Sequence, residues 1–216
     1  MCDELRVSCD GCAVGRLTVP PFRLHAGAAV CLHLPGPVYS KDWHALVQVL
    51  TGAQPLPSVR QFGRVQWAEP ASTPTTVLGL LRQGRLTPLR PVDWLQRVAG
   101  LSAADSTSVV ARLDLRPEWR LSQLAGNPRA LLGLEAIWAQ RADAVVFHTV
   151  GCDPSGVKRV FEAVAAHLAE CPAIYLSSWF WQDGGQQRDH FPGATCLDIT
   201  QSTNVPEFLA SVEGGS

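Results

Sequence analysis

The chain holds 216 residues, 46% hydrophobic and 17% charged, with a formal net charge of -1. That apolar content supports a large buried core and excludes a disordered chain, and the scattered Lys and Arg form no basic stripe of the kind nucleic-acid binding needs. No apolar run approaches the roughly 18 residues of a membrane span, so the expectation is a single α/β domain over 1–216.

The opening residues, MCDELRVSCD, are acidic and polar and do not read as a signal peptide. A cytoplasmic protein is expected, peripheral at a membrane only through a partner. The seven cysteines are spread along the chain rather than spaced as a scaffold, which predicts free thiols in a reducing compartment.

Val7-Ser8-Cys9 and Cys12-Ala13-Val14 flank Asp10-Gly11, a local hairpin signal. Pro20-Pro21 breaks the chain. Ala28 to Leu32 reads as a buried strand ending at Leu34-Pro35-Gly36-Pro37. A helix is predicted from near Ser40 or Asp42, with Trp43, Leu46, Val47 and Leu50 at helical spacing and Gly52 as its stop. Residues 53–76 read as loops with a short strand at Val65-Gln66-Trp67. From 77 to 124 the pattern is helical and interrupted by Pro88 and Pro91, with Trp94, Leu95 and Val98 on one face. Ala130 to Gln140 predicts a second helix. Asp143 to Phe147 has the signature of a central parallel strand. Asp153-Pro154 opens a helix as N-cap and first-turn proline, with Val157, Val160, Phe161, Val164 and Leu168 as its buried stripe. Ala173 to Leu176 and Ala194 to Leu197 read as further strands. Strands alternating with helices imply right-handed crossovers and a mostly parallel sheet.

Six segments, in order, resemble the landmarks of the ATP-binding domains of ABC transporters. Gly36-Pro37 after a buried strand, with Leu50-Thr51-Gly52 closing the next helix, resembles a Walker A region of the form GPNGSGKSTLLRLLTG. Gln83, followed by Gly-Arg-Leu-Thr-Pro, resembles the Q-loop. Leu124-Ala125-Gly126-Asn127-Pro128 sits where the LSGGQ signature belongs. Asp143 to His148 resembles the Walker B strand and Gly151-Cys152-Asp153-Pro154 the D-loop. Leu176-Ser177-Ser178-Trp179 resembles the strand leading to the switch histidine. The resemblance covers roughly residues 5–200. It implies a P-loop NTPase-like α/β fold, a mostly parallel sheet with flanking helices, a small N-terminal antiparallel β part and a helical insertion near 84–127.

The chemistry of the family is thinned out at the matching positions. A P-loop cradles phosphates with backbone N–H groups freed by glycines, a Lys on the β- and γ-phosphates and a Ser or Thr on Mg²⁺. Here the inner glycines are missing, Lys41 comes at least one place early, and no hydroxyl residue follows it. Asp42 suits a helix N-terminus but repels an arriving phosphate, and Trp43 is bulky. His148 and Thr149 stand where the metal-linked Asp and the catalytic Glu belong. The step from His148 to Asp153 is two residues shorter than the family's. In the signature, Ser and Gln become Ala125 and Pro128. Trp179 takes the switch position, and no aromatic residue precedes Phe22 to stack on adenine. Gly36, Ser40, Lys41, Gln83, Gly126 and Asp153 are the vestigial nucleotide-site positions this resemblance leaves. No catalytic or metal-ligating residue is expected, and no cofactor, with ATP and Mg²⁺ as the alternative.

The resemblance therefore implies a catalytically degenerate domain, a non-hydrolysing regulatory or structural subunit. Its partner would be an active ABC ATPase or a transporter membrane subunit. The alternative is a transporter subunit that still binds nucleotide. A third reading is a metal-binding or redox protein using Cys9-Asp10-Gly11-Cys12, with Cys2, Cys31 or His33 completing a zinc set. Trp179-Phe180-Trp181 and the insertion near Trp94 are candidate docking anchors. No Gly-x-Ser-x-Gly elbow, His-Glu-x-x-His helix or dinucleotide glycine motif proposes another enzyme.

Overall fold

The computed structural model describes residues 4–36, 39–71, 89–177, 179–182, 185–188 and 191–201, the two segments within 179–188 as backbone alone. In chain order the first elements are β1 (Leu5–Cys9), β2 (Cys12–Val14), β3 (Leu17–Val19), β4 (Phe22–His25), β5 (Ala29–His33), α1 (Lys41–Leu50), β6 (Val59–Gln61) and β7 (Val65–Trp67). Helices α2 (Pro91–Ala99), α3 (Ala103–Arg112) and α4 (Gly126–Ala139) follow, then β8 (Ala144–Phe147), α5 (Pro154–His167) and β9 (Ala173–Ser177). The last strands are β10 (Trp179–Gln182), β11 (Gly185–Arg188), β12 (Thr195–Asp198) and β13 (Thr200–Gln201). The chain divides into two compact units. Met1–Trp67, Asp143–Val146 and His167–Ser216 form the first; Ala68–Ala142 and Phe147–Ala166 form the second.

The first unit is built on a five-stranded parallel sheet of order β12-β5-β9-β8-β7. Every residue of β5, β8 and β9 is buried. That is why these strands read in the sequence as unbroken apolar runs rather than as alternations. One face of the sheet, carrying Val30, Leu32, Ala144, Val146, Ile174 and Leu176, shares a core with Trp43, Leu46 and Leu50 of α1. The Walker B-like strand β8 lies between β7 and β9, the central place its composition predicts. Asp143 anchors its start: the carboxylate accepts from the Arg64 N–H at 2.8 Å and pairs with Arg6 at 3.2 Å.

The N-terminal strands β1–β4 build two small antiparallel sheets, β4-β1-β6 and β13-β3-β2, with β6 and the late strand β13 added at their edges. The hairpin expected across Asp10-Gly11 is not formed. Cys9 pairs with Phe22 and Val59, whereas Cys12 pairs with Val19, so the chain passes from one sheet to the other at this turn. A type I′ hairpin needs positive φ at both central residues. Gly11 has it, at 89°, and Asp10 does not. Strands β3, β4 and β6 also escaped the sequence reading; they are three or four residues long, too short for alternation to register.

In the second unit, α2, α3 and a 3-10 turn at Leu121–Gln123 lie within the stretch expected for the helical insertion. Their core gathers Leu95, Val110, Leu121 and Leu132 of α4. Pro91 takes the first position of α2, where its missing N–H is harmless. Trp94 and Leu95 are buried as expected, but Val98 is 46% exposed and leaves that face. Among the described residues no helix is long and apolar enough to cross a membrane.

Candidate functional site

The turn from β5 to α1 carries Gly36, Ser40 and Lys41. Tyr39 adopts the left-handed conformation, with φ 63°. In the form GPNGSGKST this fourth position is glycine, so the turn keeps a backbone that favours glycine while holding a tyrosine. The next residue, Ser40, is the N-cap of α1: its hydroxyl oxygen accepts the Trp43 N–H at 3.2 Å. Its carbonyl accepts the His44 N–H at 3.0 Å. Lys41 is exposed on the first turn.

Asp42 points the other way, into the β2–β3 turn. Its carboxylate pairs with the Arg16 guanidinium at 2.9 Å and accepts the Arg16 N–H at 3.3 Å. Gly15, at φ 58°, packs so closely against this carboxylate that a β-carbon there would collide with it. Trp43 is 2% exposed. Its ring meets Trp67 edge-on at 4.9 Å and is tilted against Tyr39 at 5.1 Å. The residues after the glycine thus form an aromatic plug and an ion pair.

His148 follows β8. It is buried, and its Nδ1 accepts the Val150 N–H at 2.8 Å, which fixes the ring as a neutral acceptor on that side. Burial lowers its pKa to about 4. Thr149 beside it is also buried.

The signature-like and D-loop-like segments meet. Gly126, the first residue of α4, lies so close to the Gly151 carbonyl that no β-carbon fits. Asn127 donates to Asp153 Oδ2 at 2.8 Å and accepts the Asp153 N–H at 3.1 Å. Gly156 likewise has no room for a side chain beside Asn127. Asp153 caps α5 as predicted, its Oδ1 accepting the Gly156 N–H at 2.8 Å and the Ser155 hydroxyl at 2.7 Å. The Ser155 hydroxyl, the Gly156 N–H and the Asn127 amide hold the Asp153 carboxyl down to about 2. Such a depressed pKa contributes stability that is full above the unfolded value of about 4 and is lost as pH falls through about 2. Asp153→Asn is therefore expected to flatten the fall in melting temperature between those two pH values. Superimposable melting profiles for the variant and the parent would contradict it.

The reciprocal Asn127–Asp153 pair spans 26 residues and the Arg16–Asp42 pair also 26, and neither has a spacing motif to reveal it in sequence. Gln83 lies outside the described residues. Trp179 opens β10, which pairs antiparallel with β11.

Cys9 and Cys12 bring their sulfurs to 3.9 Å. Hydrogen bonding from the Cys12 thiol draws Cys9 down to about 7, and the same interaction pushes Cys12 up. Neither joins Cys31 or His33. Among the described residues, one group of three potential metal ligands converges, and it is Cys31, His33 and Cys196.

This architecture is the fold of ABC-transporter ATP-binding domains. An ATP-binding cassette from an ABC transporter, solved nucleotide-free, superimposes with a TM-score of 0.55 at 14% identity, over 99% of this chain and 96% of that one. A protein assigned as an ABC transporter ATP-binding protein from Pyrococcus furiosus gives 0.60 at 15% identity, over 91% and 94%. The cbiO1 protein of Clostridium perfringens, part of the ABC transporter complex cbiONQ, gives 0.53 at 10%, over 86% and 88%. No protein-family model matches the sequence, and no curated protein matches it.

Proposed function

We propose that this chain is a non-hydrolysing member of the ABC ATPase fold that serves as a regulatory or structural partner subunit. The observation that carries the reading is the turn at the start of α1. A phosphate loop offers unoccupied helix N-terminal N–H groups to the ligand. Here the Ser40 hydroxyl takes the Trp43 N–H for itself. Asp42 adds a carboxylate to the same helix turn, and Arg16 holds it in place. Trp43 fills the position of the Mg²⁺-binding hydroxyl with a buried indole.

The Walker B-like end supports the same reading. Mg²⁺ prefers hard oxygen ligands, and His148 offers a buried imidazole whose Nδ1 already accepts a backbone N–H. Phosphoryl transfer rests almost wholly on positioning and charge stabilisation. With Asp42, Trp43 and His148 at these positions, neither is supplied. Gly36, Ser40, Lys41, Gln83, Gly126 and Asp153 then persist as positions of a former nucleotide site, of which Gly126 and Asp153 hold the fold together.

One feature favours a second reading, a subunit that retains nucleotide binding. Tyr39 holds a left-handed φ at the position where a phosphate loop has glycine, and Lys41 is exposed close to it. An intact fold beside altered ligand positions implies that folding still serves something, and docking to a protein is the simplest such demand. The cbiO1 neighbour belongs to a multi-subunit transporter complex, which makes an active ABC ATPase or a membrane subunit the partner of choice here. Phosphate release from Mg·ATP, measured in steady state on the purified chain, is expected to match the protein-free blank. Turnover above the blank that His148→Ala abolishes would refute the non-hydrolysing reading.

A further inference from the structure

We infer that Cys31, His33 and Cys196 form a zinc-binding site that clips strand β12 to the parallel sheet. Residues two apart on a strand share a face, so Cys31 and His33 of β5 project together. Strand β12 runs parallel to β5 with Cys196 opposite Cys31 and Asp198 opposite His33. The register therefore delivers a second thiol and a carboxylate to the same patch from a segment about 160 residues away in sequence.

The distances fit. Cys31 Sγ lies 3.8 Å from His33 Nδ1 and 3.9 Å from Nε2. The ligand atoms of all three residues fall within 4.8 Å of one another. Tetrahedral zinc, with Zn–S near 2.3 Å and Zn–N near 2.0 Å, sets its ligand atoms roughly 3.6–3.8 Å apart. The Cys31–His33 pair is already at that spacing, and the third sulfur is within a small side-chain adjustment of it. Two thiolates and an imidazole are the soft-to-borderline donor set that zinc takes and that Mg²⁺ and Ca²⁺ refuse.

Burial supplies the rest. Cys31 is fully buried and His33 is 4% exposed, so two ligands are held rigidly in the sheet. Cys196 is exposed on the edge strand and provides the way in. Asp198 is paired with His33 in the register but lies outside the converging trio, so the fourth position is left to water. Among the described residues, strand β12 pairs with β5 alone, and a metal bridging the two strands would hold this edge to the core. The site is independent of the nucleotide reading and of Cys9 and Cys12.

The test is zinc binding by the full chain, reduced and stripped with chelator, in competition with a chromophoric zinc indicator. One equivalent is expected to bind the parent. Cys196→Ser removes an exposed side chain and leaves the sheet intact; it is expected to weaken binding by more than about 100-fold, beyond the 10–100-fold that a supporting residue provides. The Cys9→Ser/Cys12→Ser double variant is expected to bind like the parent. Cobalt(II) gives a second readout that does not depend on affinity: its thiolate charge-transfer band should fall by about half in Cys196→Ser. Zinc binding that survives Cys196→Ser unchanged, or that disappears with Cys9 and Cys12 instead, would overturn the assignment. So would a Cys31–Cys196 disulfide in the chain purified under reducing conditions.

Discussion

Trp43→Ser, which places the family's small hydroxyl residue on the first turn of α1, is expected to cost about 3–5 kcal/mol of folding stability. The indole is 2% exposed and belongs to the core beneath the parallel sheet. Its removal leaves a cavity, and the edge-on packing against Trp67 at 4.9 Å and the tilted packing against Tyr39 at 5.1 Å disappear with it. Serine also buries a hydroxyl for which the apolar cluster offers little, adding to the loss. Trp43→Phe keeps a ring in the same space and should cost clearly less. Urea denaturation midpoints for the three proteins decide the matter. A Trp43→Ser penalty under about 1 kcal/mol would show that the site tolerates a phosphate-loop residue, and that the aromatic plug is incidental. The prediction bears on the proposed function because a core indole at this position leaves no place for a metal-binding hydroxyl.

Acid is expected to weaken the chain through His148. The unfolded imidazole titrates near 6.5, and burial lowers the folded value to about 4. Between those values the unfolded chain binds more protons than the folded one, so stability falls as pH falls. Below about 4 both forms are protonated and this contribution levels off; above 6.5 both are neutral and it is flat. The gap of about two and a half pH units corresponds to a loss on the order of 3 kcal/mol. His148→Asn places an amide oxygen where Nδ1 accepts the Val150 N–H and removes the titration. Its stability, measured by denaturant unfolding from pH 7 to pH 4, should lack that component of the slope. Parallel profiles for the parent and the variant would contradict a buried neutral imidazole. At neutral pH the same burial keeps His148 uncharged.

How much of this was legible in the sequence depends on the range of the interaction. The strands of the parallel sheet announce themselves because both their faces are buried and the residues are uniformly apolar, as in Ala144 to Phe147. Caps are also local: Ser40 and Asp153 act within three residues of themselves. Strand β3 closes a tight hairpin on β2, and β4 and β6 both pair with β1, but three or four residues carry too little pattern to predict any of them. Asp10-Gly11 misled for a related reason: the dipeptide suits a hairpin, but Cys9 and Cys12 are each claimed by other strands. Val98 sits near the end of its helix face and turns outward.

At the candidate site, the residues that differ from the family pattern were readable by position, and what they do was not. Asp42 looked like a helix-capping charge that would repel phosphate. Its engagement with Arg16, 26 residues earlier, follows only from the packing of the β2–β3 turn against α1. Asn127 carries no signal of its own in the sequence, yet it holds Asp153 with two hydrogen bonds. The convergence of Cys31, His33 and Cys196 needs the β5–β12 register, which no spacing rule in the sequence supplies.

Whether the β5–α1 turn receives a nucleotide is decided by isothermal titration of the purified chain with Mg·ATP into the millimolar range. No saturable heat is expected, meaning a dissociation constant weaker than about 1 mM. Stoichiometric binding in the micromolar range that Lys41→Ala abolishes would contradict it.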